Sequence, residues 1–102
     1  MIAQIEALRQ QLWQRHRDAA PRGYPVGGGD WMDTLFRLEA LDGCLRSLRA
    51  GKPLAEALRD GQEASRAAVK IWNRRREYQV HRWEETAFDW LDAQIRKIRD
   101  SI

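Results

Sequence analysis

Cysteine is nearly absent from this chain: Cys44 is the only one in 102 residues. A single thiol cannot close an intramolecular disulfide, so a small disulfide-stapled scaffold is excluded. Long apolar runs are missing too, and nothing approaches the roughly 18 residues that a helix needs to cross a bilayer. The opening stretch, MIAQIEALRQQLWQRHRD, holds no uninterrupted apolar segment, so no secretory leader is expected and the chain reads as cytoplasmic, with no membrane partner. Serine occurs three times and histidine twice, and no serine lies near a histidine in sequence. Lysine is scarce, three against fifteen arginines, and the net charge is only +3. That excess is too small for a nonspecific DNA coater, whose affinity is a sum over many phosphate contacts.

What is present is a globular balance, 43% hydrophobic and 32% charged, in a chain of 12.0 kDa. It implies a single helical domain over residues 1–102 with one small core. Five tryptophans in so short a chain are unusual. A small core cannot easily bury five large rings and also partner five indole N–H donors, so part of this aromatic surface is expected to meet another chain or a ligand.

Periodicity divides the chain into helices. Residues 2–19 carry Ile5, Leu8 and Leu12 at helical spacing, with Trp13 flanking the stripe and Pro21 ending it. Residues 21–30, PRGYPVGGGD, hold two prolines and four glycines, a composition that reads as a loop. Asp30 is a suitable N-cap for a second helix with a stripe of Trp31, Leu35, Leu38, Leu41, Leu45 and Leu48, stopped by a C′ glycine, Gly51. Pro53 suits the first position of a third helix. Its inward stripe reads Leu54, Leu58, Gly61, Ser65, Ala68 and Trp72, with Ala57, Ala64 and Ile71 beside it. The small residues Ala57, Gly61, Ala64 and Ala68 predict close approach of a neighbouring helix.

No glycine or proline follows residue 61, so one helix from Pro53 to about Asp100 is conceivable. At 1.5 Å per residue it would be about 70 Å long and would force an intertwined dimer. Charge polarity argues instead for a break between about Glu77 and Arg82. Acids precede bases twice over, first Glu56, Asp60 and Glu63 before Arg66 to Arg76, then Glu84, Glu85, Asp89 and Asp92 before Arg96, Lys97 and Arg99. Each cycle complements one helix macrodipole. The fourth helix carries Trp83, Ala87, Trp90 and Leu91 together with Phe88, Ile95 and Ile98, a wider apolar arc than a small bundle needs. The expected fold is all-α: a small antiparallel bundle of three to four helices, with the third and fourth as the principal pair, completed by dimerisation.

The chemistry-bearing motifs are thin. Gly27-Gly28-Gly29 precedes a helix as a phosphate cradle would, but no Lys-Ser/Thr pair follows and Asp30 puts negative charge where the anion would sit. Glu77, His81, Glu84 and Glu85 would share a face of a continuous helix, yet di-iron bundles use a Glu-x-x-His pair on two helices and this chain has neither. Cys44 has no basic neighbour to activate it and reads as a buried, inert thiol. No catalytic residue, metal site or cofactor is expected. The leading reading is a non-enzymatic protein–protein interaction module or accessory subunit that self-associates, with Trp83, Phe88, Trp90 and Leu91 as anchors and Tyr24 exposed on the glycine-rich loop. The alternative is nucleic-acid binding through Arg74, Arg75, Arg76 and Arg82, interleaved with Trp72, Tyr78 and Trp83.

Overall fold

The computed structural model describes residues 1–18, 29–74 and 82–100, with side chains over 1–18, 34–71 and 89–100. These residues form four helices and no strand: α1 (Ile2–Asp18), α2 (Gly29–Arg49), α3 (Leu54–Arg74) and α4 (Arg82–Asp100). The fold is the all-α bundle that the periodicity implies. α2 begins at Gly29, one residue before the predicted cap; the Asp30 side chain lies outside the described set. Residues 75–81, where the break is expected, also lie outside it. A continuous helix is ruled out all the same. Leu91 Cδ2 lies 2.9 Å from where a Cβ on Gly61 would sit, whereas thirty residues of helix would separate them by about 45 Å.

The α2–α3 turn is specified residue by residue. Gly51 takes φ 83, where a side chain would be strained. The Gly51 amide donates to Leu48 O at 3.0 Å and the Lys52 amide to Ser47 O at 3.0 Å, the paired bonds of a Schellman cap. That motif usually adds an apolar contact across its ends. Here Asp60 of α3 takes that role, accepting from the Ser47 hydroxyl and from Lys52 Nζ at 3.1 Å. These two bonds hold the Asp60 carboxyl below its ordinary range. Pro53 sits one position before its predicted place, at the cap, with its carbonyl accepting the first helical bond from the Ala57 amide at 3.0 Å.

α2, not α3 with α4, organises the bundle; it packs against all three other helices, and its pairing with α3 is the most extensive. The reason is size. Gly43 of α2 faces Ala64 and Gly61 of α3, and a Cβ on Gly43 would lie 2.8 Å from Ala64 Cβ and 2.9 Å from Asp60 O. A Cβ on Gly61 would lie 2.6 Å from Ala40 O and 3.3 Å from Cys44 Cβ. The two backbones therefore nearly touch, and Leu91 of α4 covers the seam from one side. Ile5, Leu12, Leu38, Leu41, Leu45, Ala57 and Ile95 complete the core cluster.

Burial departs from the predicted stripes at two places. Phe36 is fully buried whereas Leu35 is only half-buried. Val69 is buried and Ile71 is 53% exposed, because α3 turns its 57, 61, 65, 69 row inward. Leu91 is 1% exposed. Its side chain lies against Gly61 in the chain's own core, which corrects its assignment as a partner-facing anchor.

Candidate interaction face

The position of α2 determines which surface is left open. His16 of α1 meets Thr34, Arg9 pairs with Asp42, and Arg49 pairs with Glu6, so residues 34, 42 and 49 mark the α1 side. Residues 40, 43 and 47 mark the α3 side. At 100° per residue these sides lie about half a turn apart, so α1 and α3 flank α2 in a three-helix layer. One of the two remaining sides carries Arg37, whose guanidinium sits 5.1 Å over the Trp90 ring of α4. The other carries Glu39 and Arg46, and no helix among the described residues covers it.

Three grooves border Arg46 on this open side; one of about 340 Å³, lined by Gly43, Arg46, Ser47, Ala50, Lys52 and Asp60, lies at the α2–α3 turn, and the other two flank the middle of α2. Between α1 and α2 lies one of about 550 Å³, lined by Glu6, Arg9, Gln10, Trp13, Asp42, Arg46 and Arg49. Between α2 and α3 lies one of about 280 Å³, lined by Glu39, Arg46, Ala64, Ala67, Ala68 and Ile71. Arg46 borders both, so they form one continuous face. Trp13 and Ile71, the large hydrophobics most exposed among the described residues at 46% and 53%, sit on its two flanks. Trp13 also stacks on the His16 ring, with centroids 5.8 Å apart. His16 is buried, with Nδ1 2.7 Å from Thr34 Oγ1, and this packing fixes the base of the indole while its outer surface faces solvent.

The face is charged but internally balanced. Arg9 grips both Asp42 oxygens, the second at 3.5 Å, and Arg49 Nη2 lies 2.9 Å from Glu6 Oε1. Glu39 and Arg46 make no ion pair among the described residues. Partial burial pushes the Glu39 carboxyl above its ordinary value; Asp42 adds to the rise and Arg46 opposes it.

Of the anchors inferred from sequence, Trp90 and Leu91 are the two whose side chains are described, and neither borders these grooves. Trp90 is half-buried and borders a smaller cleft of about 230 Å³ with Leu12, Arg37 and Gln94. Trp83, Phe88 and Arg82 lie on α4, and Arg74 ends α3; their side chains are outside the described set, as are Tyr24, Arg75 and Arg76 altogether. Glu77 and His81 are likewise outside it, as are the side chains of Glu84 and Glu85. Cys44 is buried, and desolvation, aided by Asp60, pushes its thiol up to about 11. Among the described residues no helix is long and apolar enough to cross a membrane, and no cluster of three or more His, Cys, Asp or Glu could hold a metal ion. Trp13 and Ile71 were not anticipated as surface anchors; the sequence signal for Trp13 was its place beside the Ile5–Leu8–Leu12 stripe and not within it. Comparison of the chain with protein-family models, curated proteins and solved structures finds no match.

Proposed function

We propose that this chain is a small non-enzymatic interaction module that binds a protein partner through the open face of the α1–α2–α3 layer. The observation that carries the reading is the placement of Trp13 and Ile71. Two large hydrophobics, each about half exposed, border the same polar floor from opposite helices. Aromatic and aliphatic anchors around a polar centre are the residue types that dominate binding energy in protein interfaces. The grooves are open and shallow, and they contain no nucleophile–base pair, which suits a docking surface better than a reaction chamber.

The test is site-specific photo-crosslinking in the cells from which the chain comes. A benzophenone side chain placed at Ala67, on the floor between Ile71 and Arg46, is expected to give protein adducts of defined mass. The same probe at the exposed Ala93 of α4 is expected to give none. Equal labelling at both positions, or none at Ala67, refutes the reading.

A further inference from the structure

The charges on the open face identify what it binds. Among the described residues six ionised side chains line the two grooves flanking the middle of α2, the acids Glu6, Glu39 and Asp42 and the bases Arg9, Arg46 and Arg49, while Lys52 and Asp60 of the third groove pair with each other. The sum is zero, which gives a polyanion no electrostatic footing. Four of the six neutralise each other within the chain, as Arg9–Asp42 and Arg49–Glu6. The remaining two, Glu39 and Arg46, lie seven residues apart on one helix, two turns or about 10.5 Å.

We propose that the partner is a second copy of this chain, seated on this face across a two-fold axis with the α2 helices antiparallel, so that Glu39 of each copy meets Arg46 of the other. This rests on the interaction-module reading above. One acid and one base on a single stripe are complementary to themselves when the stripe is reversed. An axis passing between Asp42 and Gly43 sets both reciprocal pairs at once, as an isologous interface requires. A parallel arrangement would put Glu39 on Glu39. An unrelated partner would have to supply a base and an acid at the matching spacing, which a second copy does by construction.

Size and shape agree. Helices of 17 and 21 residues laid side by side at interaxial distances of 8–10 Å present about 700 Å², close to the ~800 Å² per partner of a standard interface. Ala64, Ala67 and Ala68 keep the α3 half of the face low, so a facing helix can approach. Next to the axis, the neutral Arg9–Asp42 pair meets its own copy, where each guanidinium can bridge two carboxylates. Partial burial already raises the Glu39 carboxyl, and a facing guanidinium would reverse that shift.

Sedimentation velocity at low salt, from about 1 to 500 µM chain, decides the matter. The native chain is expected to reach twice its 12.0 kDa mass. Arg46→Glu and Glu39→Arg each set like charges against one another and are expected to weaken the dimer by about tenfold or more. The double variant E39R/R46E restores the complementarity in reverse and is expected to return to within about threefold of the native chain. Arg46 is exposed, so Arg46→Glu is not expected to disturb folding; Glu39→Gln is the milder variant should Glu39→Arg fail to give a helical spectrum. A chain that stays at 12.0 kDa throughout overturns the proposal, as does a dimer indifferent to both reversals. Adducts at Ala67 with a different protein, combined with a strictly monomeric chain, would also sink the second-copy inference while leaving the module reading intact.

Discussion

Replacing Gly61 with alanine tests the core of this fold, because two effects of known sign oppose each other there. In a helix exposed to solvent, Gly→Ala gains about 1 kcal/mol of helix propensity. At Gly61 the new methyl would sit 2.6 Å from Ala40 O and 2.9 Å from Leu91 Cδ2. An ordinary contact begins near 3.4 Å, so α2 and α3 must part by roughly 0.8 Å at a backbone atom that cannot rotate away. Overpacking of this kind costs about 1–3 kcal/mol, and more where backbone has to move. The expected net effect is a loss of about 1–2 kcal/mol, or a Tm lower by roughly 4–15 °C. Urea unfolding followed by far-UV circular dichroism measures it, with an unchanged m-value confirming that the two-state transition is intact. Ala93→Gly, on an exposed position of α4, calibrates propensity alone and should cost about 1 kcal/mol. If Gly61→Ala stabilises the protein by that same amount, the close α2–α3 crossing described above is wrong. Adding Leu91→Ala should show coupling of at least about 0.5 kcal/mol with Gly61→Ala, since one of the two clashes is then removed.

Three further substitutions follow from the same packing. Ser65 is fully buried and its hydroxyl has no hydrogen-bond partner among the described residues, so Ser65→Ala is expected to stabilise the fold by about 1 kcal/mol in urea unfolding; a loss of similar size would reveal a partner for that hydroxyl. The Cys44 thiol, raised from 9.0 to about 11, stays protonated in the folded chain while the unfolded chain ionises, so its contribution to stability falls as pH climbs from 9.0 to 11. The Tm difference between the native chain and Cys44→Ala should narrow over that interval, and an unchanged difference would count against a buried thiol. Asp60, held below its ordinary value by Ser47 and Lys52, contributes stability that is present above pH 3.8 and lost as pH falls through its lower folded value. Asp60→Asn should flatten the acid limb of the melting profile, and an identical limb in both proteins would remove Asp60 from the turn's energetics.

Local rules carried most of the way from sequence to fold. The Gly51 stop, the run of small residues on α3 and the flanking position of Trp13 all follow from helix geometry and side-chain size. Charge polarity separated α3 from α4 by a dipole argument that needs no tertiary information. What failed was the ranking of helix pairs. The expected principal pair is α3 with α4, but closeness of approach is set by what is missing, and the glycines on facing helices are Gly43 and Gly61. Gly43 was not seen as a contact residue because, within a leucine-rich stretch, it reads as a propensity defect until its neighbour is known. The assignment of Leu91 failed for a related reason. A leucine next to a tryptophan looks like part of a wide apolar surface, and only the gap above Gly61 shows where it goes.

The same glycine contact accounts for the open face. Because Gly43 and Gly61 draw α3 tightly against one side of α2, and α1 takes the opposite side through the Thr34, Asp42 and Arg49 row, a single helix remains to cover the two sides left over. Leu91 directs α4 to the side where the Gly61 gap lies, since an apolar side chain gains about 2 kcal/mol by filling it. The other side of α2 therefore remains uncovered by the described helices, and its residues are under a different constraint from those facing α4. They must tolerate water in the free chain and, under the proposal of a second copy, also suit the facing chain. Glu39 and Arg46 meet both demands, with Ala64, Ala67 and Ala68 keeping the adjoining groove shallow and Trp13 and Ile71 at its edges. On this view the crossing and the docking surface are mechanically linked. A substitution that pushes α3 away from α2, such as Gly61→Ala, should widen the groove holding Ala67 and Ile71 and weaken self-association as well as lower stability. A Gly61→Ala chain less stable than native but equally dimeric would show that the two are independent.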